Sequence, residues 1–398
     1  MSINWFTQVF VITAMNLRNI PQRWGTSLVA VFGVTCVVAV FIGVLSMAAG
    51  FQKTMLNSGA KDRVIIMRAG ATSEMSSGLS YEQSQLISHL PGVLKSGDTP
   101  LSSAELFVVV DIPKKATNSS ANVSLRGVMP AAFLVRDKFK IVSGRNFEMG
   151  KNEIIVGRAA QKQFQNLQVG SSVKVGQAQW QIVGVFEEGG GLAESELWCD
   201  AKLLQAAYRR GNSYQTIRVK LTSAGALNDL RAAIASDPKL NVEIKTESEF
   251  MSEQSAPLIT FIKAVGYPVA IIMALGAIFG AINTMYTSVA SRTREIATLR
   301  ALGFGSLPVA ISTLIESLAL AFLGGALGSV CVYLLFNGYT VSTLNFASFS
   351  QVVFDFAVTP ELLQQGVKFA TVIGLIGGVF PAVRAARLPV ATALRDVH

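Results

Sequence analysis

The chain has few of the residues that enzyme or metal chemistry requires. His89 and His398 are its only histidines, which argues against a histidine-based metal site or a Ser-His-Asp triad. No GxxxxGK[ST] phosphate loop occurs, so the chain is not expected to be its own P-loop ATPase. Residues 189–191 are glycines without a following lysine, and the adjacent acids Glu187 and Glu188 are typical of a solvated loop. We therefore expect no catalytic residue, cofactor or metal site here.

The charged residues with the most informative spacing lie in one short segment between two long apolar runs. This segment, SRTREIATLRALG, covers residues 291–303. On a helix, Ile296 and Leu299 would form one apolar stripe, and Arg292 could pair with Glu295. A short amphipathic helix suits a groove on another protein, whereas the alternative is a solvated turn rich in arginine. The candidate partner-binding residues are Arg292, Arg294, Glu295, Ile296, Leu299 and Arg300.

Glu316 is the only charged residue between residues 301 and 354. An acid inside a membrane span costs roughly 2.5–3.5 kcal/mol on insertion scales, so its side chain should face protein or water and have a partner. Arg292, Arg294 or a backbone donor could be that partner. Two roles stay open for Glu316, a structural one and participation in coupling to another protein. Small residues on the same run favour close helix packing, within the chain or at a subunit interface, at Gly324, Gly325 and Gly328.

The elements that carry these residues are predicted membrane spans. Hydrophobic residues make up 51% of the 398 and charged residues 15%, a balance too apolar for a soluble chain. Three uncharged runs exceed the roughly 20 residues that a helix needs to cross about 30 Å of hydrocarbon. A fourth, shorter run can span if Lys368 snorkels to the headgroups. The predicted spans are residues 26–50, 258–290, 306–336 and 362–385.

Loop charges predict the orientation, because cytoplasmic segments collect Lys and Arg near the ends of spans. Arginine is in excess in the amphipathic N-terminal segment 1–25, the turn 291–305 and the tail 386–398. The loop 337–361 has acids and no base. We therefore expect both termini in the cytoplasm, and this loop and residues 51–257 outside it. The three arginine-rich segments hold most of the net charge of +9, so nucleic acid is not an expected partner.

Residues 51–257 are predicted to form a mixed α+β domain with a stalk helix at each end. Short β-rich runs predict strands at residues 63–68, 106–112, 153–156, 173–175, 180–186 and 217–221. Helical patterns occur at residues 80–90, 158–164, 201–209 and 224–235. Because no Pro/Gly linker separates the domain from the spans, the stalk helices either carry motion or act as spacers.

Four stretches of the chain match the motifs of one known family. SRTREIATLRALGF is similar to R-x-R-E-I-x-x-L-R-A-[LI]-G, and PAVRAARLPVATALR, residues 381–395, looks like PAxRAAxxxPxxALR. NLRNIPQRWGTSLVAVFGV resembles a first-span entry, and GRAAQKQF with VGSSVKVGQAQWQIVGVF fits a stretch of the outer domain. The patterns G-V-x-P and G-R-x-F are matched by Gly127, Pro130, Gly144, Arg145 and Phe147. In this order, the matches resemble the MacB/FtsX-type permease family, which includes LolC and LolE.

The resemblance implies an α-helical membrane protein with four transmembrane helices and an α+β, MacB-like periplasmic domain between helices 1 and 2. It implies a permease subunit of an ABC transporter in the bacterial inner membrane, which couples ATP hydrolysis to periplasmic movement and to export or extraction of a substrate. Residues 291–305 would form the coupling helix seated on the ATPase. The alternative is an FtsX-like subunit that regulates an extracytoplasmic enzyme and transports nothing.

The same resemblance implies several partners. MacB carries an ATPase fused at its N-terminus, and this sequence does not, so ATP and Mg would bind to a separate ATPase subunit. With four spans per chain, a second permease chain is expected, either an identical copy or a paralogue. A periplasmic membrane-fusion adaptor and membrane lipid complete the expected contacts.

Overall fold

The computed structural model describes residues 4–390, which fold as two compact units. The helical unit contains residues 4–49, 261–339 and 356–390. The α/β unit contains residues 50–260 and 340–355. Residues 391–398 of the predicted tail lie outside the described residues.

Long apolar stretches form the long helices, and shorter amphipathic stretches form the others. The helices are α1 (Trp5–Arg18), α2 (Trp24–Ser58), α3 (Tyr81–Ser88), α4 (Ala132–Val135), α5 (Arg158–Gln163), α6 (Ala201–Ala207), α7 (Ala226–Ser236), α8 (Glu247–Ser291), α9 (Thr293–Ala301), α10 (Ser306–Phe336) and α11 (Pro360–Ala386). Short 3₁₀ helices occur at Ile20–Arg23, Glu74–Ser76 and Leu192–Ser195. By length and composition, α2, α8, α10 and α11 can cross a membrane, which confirms the predicted number of four spans.

The strands are mostly short and belong to the α/β unit. They are β1 (Arg63–Arg68), β2 (Leu79–Ser80), β3 (Lys95–Ser96), β4 (Thr99–Pro100), β5 (Ser102–Asp111), β6 (Asn122–Val128), β7 (Phe139–Gly144), β8 (Glu153–Gly157), β9 (Ser172–Val175), β10 (Ala178–Glu188), β11 (Leu197–Asp200), β12 (Ser213–Tyr214), β13 (Thr216–Lys220), β14 (Val242–Thr246), β15 (Thr340–Asn345) and β16 (Ser350–Asp355).

Glycines let the spans of the helical unit approach one another closely. A Cβ atom on Gly324 of α10 would lie 2.8 Å from the carbonyl oxygen of Val31 in α2. One on Gly328 would lie 2.8 Å from the carbonyl oxygen of Thr35, whose hydroxyl donates to the carbonyl oxygen of Gly324 at 3.1 Å. Gly325 faces α11 in a similar way. Gly324, Gly325 and Gly328 therefore pack against this chain's own helices, which is one of the two alternatives that the sequence left open.

Replacing Gly324 by valine should push α10 away from α2 and lower the melting temperature of the purified full chain. Overpacking of this kind typically costs about 1–3 kcal/mol. Gly276→Val in α8 is the matched control, because a Cβ atom there would meet no heavy atom of the described residues within 4 Å. If the two variants melt at the same temperature, close α2–α10 packing does not stabilise the unit.

The α/β unit is built on a 10-stranded sheet. Its strand order is β14-β1-β13-β5-β6-β11-β8-β10-β7, and β9 pairs with β10 beside this path. Most neighbours are antiparallel, whereas β6 with β11 and β8 with β10 are parallel. Strands and helices alternate irregularly along the chain, so the predicted mixed α+β domain is confirmed.

Helices cover the sheet over apolar cores, of which two include residues of α3, α6 and α7. Ile87 of α3 and Leu230 of α7 belong to one core, and Leu204 of α6 belongs to the other. The hairpin β15–β16 adds Val353 to the second core, and the N–H of Val353 donates to Oγ of Ser195 at 3.0 Å. The sequence had indicated only a loop across this stretch. The hairpin was missed because its packing partners are distant in sequence.

Candidate functional site

α9, the helix of the arginine-rich segment, has a defined start and end. It follows Arg292, whose backbone (φ −107°, ψ 10°) departs from helical geometry and separates α9 from α8. At the other end, the N–H of Gly303 (φ +95°) donates to the carbonyl oxygen of Arg300. The N–H of Phe304 donates to the carbonyl oxygen of Leu299, which completes a Schellman turn. The segment is therefore a true helix and not an irregular turn.

Arg292 and Glu316 form a buried ion pair between the start of α9 and α10. Nη2 of Arg292 donates to both carboxylate oxygens of Glu316, and also to Oγ of Ser288 at 3.0 Å. Only 5% of Arg292 and 4% of Glu316 is exposed. The predicted pairing of Arg292 with Glu295 is wrong, since Glu295 is exposed and the buried carboxylate takes the guanidinium instead.

The apolar side of α9 packs against this chain. Ile296 is 8% exposed and lies in a cluster with Ile12 of α1, Val309 of α10 and Ala385 of α11. Leu299 is half-buried and packs against the same cluster. The expectation that Ile296 and Leu299 form an open stripe for another protein is therefore wrong. Burying a side chain of this size contributes about 1.5–3 kcal/mol, and that contribution holds α9 onto the spans.

Arg300 also binds within the chain. Its Nη1 donates to the carbonyl oxygens of Ala386 at 3.2 Å and Leu388 at 2.6 Å. Carbonyl groups at a helix C-terminus lack intrahelical donors and carry partial negative charge, so a guanidinium is well suited to them. Arg300 thus connects α9 to the end of α11 through hydrogen bonds. The sequence had suggested instead that its charge faces another protein.

The open face of α9 is formed by other residues. Arg294, Glu295 and Thr298 are exposed, and Leu302 directly after the helix is 71% exposed. Their three- and four-residue spacing puts Glu295, Thr298 and Leu302 on one side. We call Arg294, Glu295, Thr298 and Leu302 the α9 face. The sequence analysis missed Leu302, although its position next to Gly303 in the turn between two helices was a usable signal.

A second group of charged residues is buried in the α/β unit. The carboxylate of Glu105, 0% exposed, contacts Arg126 at 3.1 Å, Arg136 at 2.7 Å and Arg218 at 3.1 Å. Arg126 makes two further hydrogen bonds, both 2.7 Å, to the carboxylate of Glu196. The ion-paired residues, which we call the charge cluster, are Arg63, Arg126, Arg136, Arg218, Glu74, Glu105, Glu188, Glu196 and Glu247.

The charge cluster binds one end of α2 and one end of α8. Nη2 of Arg63 donates at 3.1 Å to the carbonyl oxygen of Ser58, the last residue of α2. Nε of the same arginine lies 2.6 Å from the carboxylate of Glu247, the first residue of α8. Arg218 pairs with the other oxygen of Glu247, which is 1% exposed. These contacts hold the end of α2 and the start of α8 against the sheet.

Glu188 has the longest of these ion pairs. Its carboxylate lies 3.6 Å from Nη1 of Arg63, and its side chain is 4% exposed. Burial raises the pKa of Glu188 to about 7, because Arg136 and the other arginines offset only part of the cost of burying its charge. The solvated loop expected for Glu187 and Glu188 is wrong for Glu188, since β10 extends through both residues and turns the second one inward.

Two family descriptions match this sequence. "MacB-like periplasmic core domain" matches residues 27–237, more than half of the chain, and "FtsX-like permease C-terminal" matches residues 268–390. The chain belongs to the MacB/FtsX-type family of ABC transporter permeases. The family resemblance seen in its motifs is thereby confirmed.

Relatives of this chain include MacB proteins from other bacteria. The macrolide export ATP-binding/permease protein MacB of Pasteurella multocida is 28% identical over 74% of this chain and 46% of the relative. The MacB of Bdellovibrio bacteriovorus is 22% identical over 92% of this chain and 58% of the relative. The chain thus spans about half the length of these relatives. The crystal structure of the periplasmic region of MacB from Actinobacillus actinomycetemcomitans covers 49% of this chain and 93% of its own, at 15% identity and a TM-score of 0.38.

Family membership places this permease in a cellular context. It is a multi-pass protein of the inner membrane with a MacB-like periplasmic domain, and permeases of this family work with an ATPase. The α9 face, the Arg292–Glu316 pair and Arg300 lie within the FtsX-like part. Most of the charge cluster lies within the MacB-like part.

Proposed function

We propose that this permease couples ATP hydrolysis by a separate ATPase subunit to movement of its MacB-like periplasmic domain, and thereby exports or extracts a substrate. ATP and Mg²⁺ bind to the partner chain. The ATPase docks on the α9 face, which lies in the cytoplasm together with both termini. The observation that carries the proposal is that α9 has one face open and the other fixed to the chain's own helices.

The fixed side of α9 supplies the mechanical link. The Arg292–Glu316 pair joins it to α10, Arg300 joins it to the end of α11, and Ile296 joins it to α1, α10 and α11. A force on the α9 face is therefore passed to several helices at once, since packed interiors deform little. α8 runs without a break from Glu247 to Ser291, directly before α9. This continuity supports a role of α8 in carrying motion, which the sequence left equal to that of a spacer.

We propose two further partners by analogy with the family. A second permease chain, identical or paralogous, completes the transporter, and a periplasmic adaptor is a further partner. The printed names of the MacB relatives specify macrolide export, whereas we propose for this chain only the export or extraction of a substrate. The FtsX-like alternative, regulation of an extracytoplasmic enzyme without transport, shares the ATPase docking and differs in whether any substrate leaves the membrane or periplasm.

Leu302→Asp should abolish co-purification of the ATPase with the permease. Burying a leucine at an interface contributes about 1.5–3 kcal/mol, so its loss corresponds to about 10- to 100-fold weaker binding. Leu134→Asp is the matched control, because Leu134 is 55% exposed in α4 of the α/β unit. Both variants should reach the membrane at normal levels, since neither leucine is buried in the chain.

Ile296→Asp tests the opposite side of α9 and should have a different effect. It places a charge in the cluster with Ile12, Val309 and Ala385, so the permease itself should lose stability.

Normal ATPase co-purification and normal transport by Leu302→Asp would remove the main support for ATPase docking at α9. Normal docking with no substrate movement in the wild type would favour the signalling alternative.

A further inference from the structure

We propose that Glu188 is a proton-binding site that controls how firmly the charge cluster holds the end of α2 and the start of α8. Within the described residues, the cluster pairs four arginines with five glutamates, so one carboxylate is in excess. The neighbouring Glu194 is also buried and accepts hydrogen bonds from the N–H groups of Glu188 and Gly190. Taking up a proton at Glu188 relieves this excess of negative charge.

Arg63 is the residue for which two carboxylates compete. Its Nε lies 2.6 Å from Glu247 and its Nη1 lies 3.6 Å from Glu188, while its Nη2 binds the carbonyl oxygen of Ser58. When Glu188 is ionised, it attracts Arg63 and repels Glu247. When Glu188 is protonated, Arg63 stays with Glu247 and Ser58. Protonation of Glu188 therefore strengthens the contacts that Arg63 makes with both helix ends.

A small cavity gives the protonated acid a place for a hydrogen-bond partner. Its volume is about 20 Å³, which is enough for one water molecule. Glu188 lines it together with Ser58 and Glu247, so the cavity lies at the two helix ends. Three arginines of the cluster, Arg126, Arg136 and Arg218, and the carboxylate of Glu196 also line it. A water molecule held there can accept the proton of a neutral Glu188 and exchange it.

The direction of the pH dependence follows from the surroundings of Glu188. Burial raises the pKa of this carboxyl, Arg136 lowers it, Glu247 raises it, and Arg63 and Arg218 lower it; the net result is a pKa raised from 4.5 to about 7. Because the folded chain holds the proton more tightly, the stabilisation is complete below pH 4.5 and is lost as pH rises through about 7. The charged groups facing Glu188 or its loop are Arg63, Arg136, Arg218, Glu247, Glu194 and Lys138.

The consequence for transport rests on the proposed function, because α8 carries motion from α9 only if that function is correct. The proton site itself does not depend on it. A more acidic exterior would hold both helix ends firmly, and a neutral or alkaline one would loosen them. The site thus gives a periplasmic domain a means to respond to external pH.

Spin-label distances in the purified full chain test the proposal without any ATPase. Lys53→Cys in α2 and Ser252→Cys in α8 are exposed labelling sites, in a background where Cys36 and Cys331 are replaced. Between pH 6 and pH 8 the protonated share of Glu188 falls from about nine tenths to about one tenth. The distance distribution should therefore be narrow at pH 6 and broad at pH 8, with a midpoint near pH 7.

Glu188→Gln imitates the protonated acid and should keep the distribution narrow at pH 8. Glu187→Gln should leave the transition unchanged, as should His89→Gln, which replaces an exposed imidazole of the α/β unit. A wild-type distribution that does not change with pH would overturn the proposal, as would a transition that survives Glu188→Gln. If Glu188→Gln does not fold, His89→Gln decides the question. Loss of the pH transition in His89→Gln would overturn the proposal, and persistence of the transition would support it.

Discussion

Glu316→Leu should destabilise the permease by about 3–5 kcal/mol, because it leaves the buried guanidinium of Arg292 without its counter-charge. Glu316→Gln should cost less, since an amide oxygen can still accept a hydrogen bond from Nη2 of Arg292. Melting temperatures of the purified full chain measure both effects. Glu361→Gln, an exposed acid at the start of α11, is the control and should melt like the wild type.

The double variant Arg292→Met/Glu316→Leu separates the two roles left open for Glu316. Replacing a buried ion pair by apolar side chains is often neutral, so the double variant should regain most of the lost stability. We expect it to bind the ATPase but not to couple hydrolysis to transport, because the charged tie between the start of α9 and α10 is gone. Full recovery of transport would instead show that the pair is structural only.

Glu105→Gln should have a comparably large effect on the α/β unit. This carboxylate serves three arginines at once, and its loss leaves Arg126, Arg136 and Arg218 with too little negative charge in a buried site. A loss of at least about 3 kcal/mol is a large part of the 5–15 kcal/mol that stabilises a typical domain. Protease resistance of the full chain should therefore fall, while the exposed-site control Glu82→Gln should keep it. Equal resistance of the two variants would contradict a stabilising role of the cluster.

The same cluster predicts sensitivity to acid. Burial acts to raise the pKa of Glu74, but Arg126 and Arg218 outweigh it and lower that pKa to about 2 from 4.5. The pKa of Glu105 is lowered by its arginines in the same way. Because the folded chain binds these protons less tightly, the stabilisation is present above pH 4.5 and is lost as pH falls toward 2. This dependence is opposite in sign to that of Glu188.

Local patterns of the sequence predicted several elements of this permease. The length of the uncharged runs marked α2, α8 and α10, because a span needs a minimum number of apolar residues regardless of its neighbours. The shorter run of α11 was included because Lys368 can snorkel to the headgroups. Alternating and helical periodicity located β1, β8 and β13 as well as α5 and α7 for the same local reason. Four stretches with family motifs, the strongest of them at residues 291–303, indicated the family, since each is contiguous in the chain.

Only the tertiary structure decided which charges pair and which side chains are buried. Arg292 has Glu295 three residues away and Glu316 in the next span. It pairs with Glu316, because both of these side chains are buried. Ile296 carried the right spacing for an amphipathic helix, but spacing cannot tell whether the apolar side meets another protein or the chain's own helices. Glu188 looked like a loop residue beside glycines, whereas the pairing of β10 with β7 extends the strand through Glu188, which is buried beside Arg63. In each case the deciding contact joins residues distant in sequence, and its strength depends on exclusion of water, which no local pattern specifies.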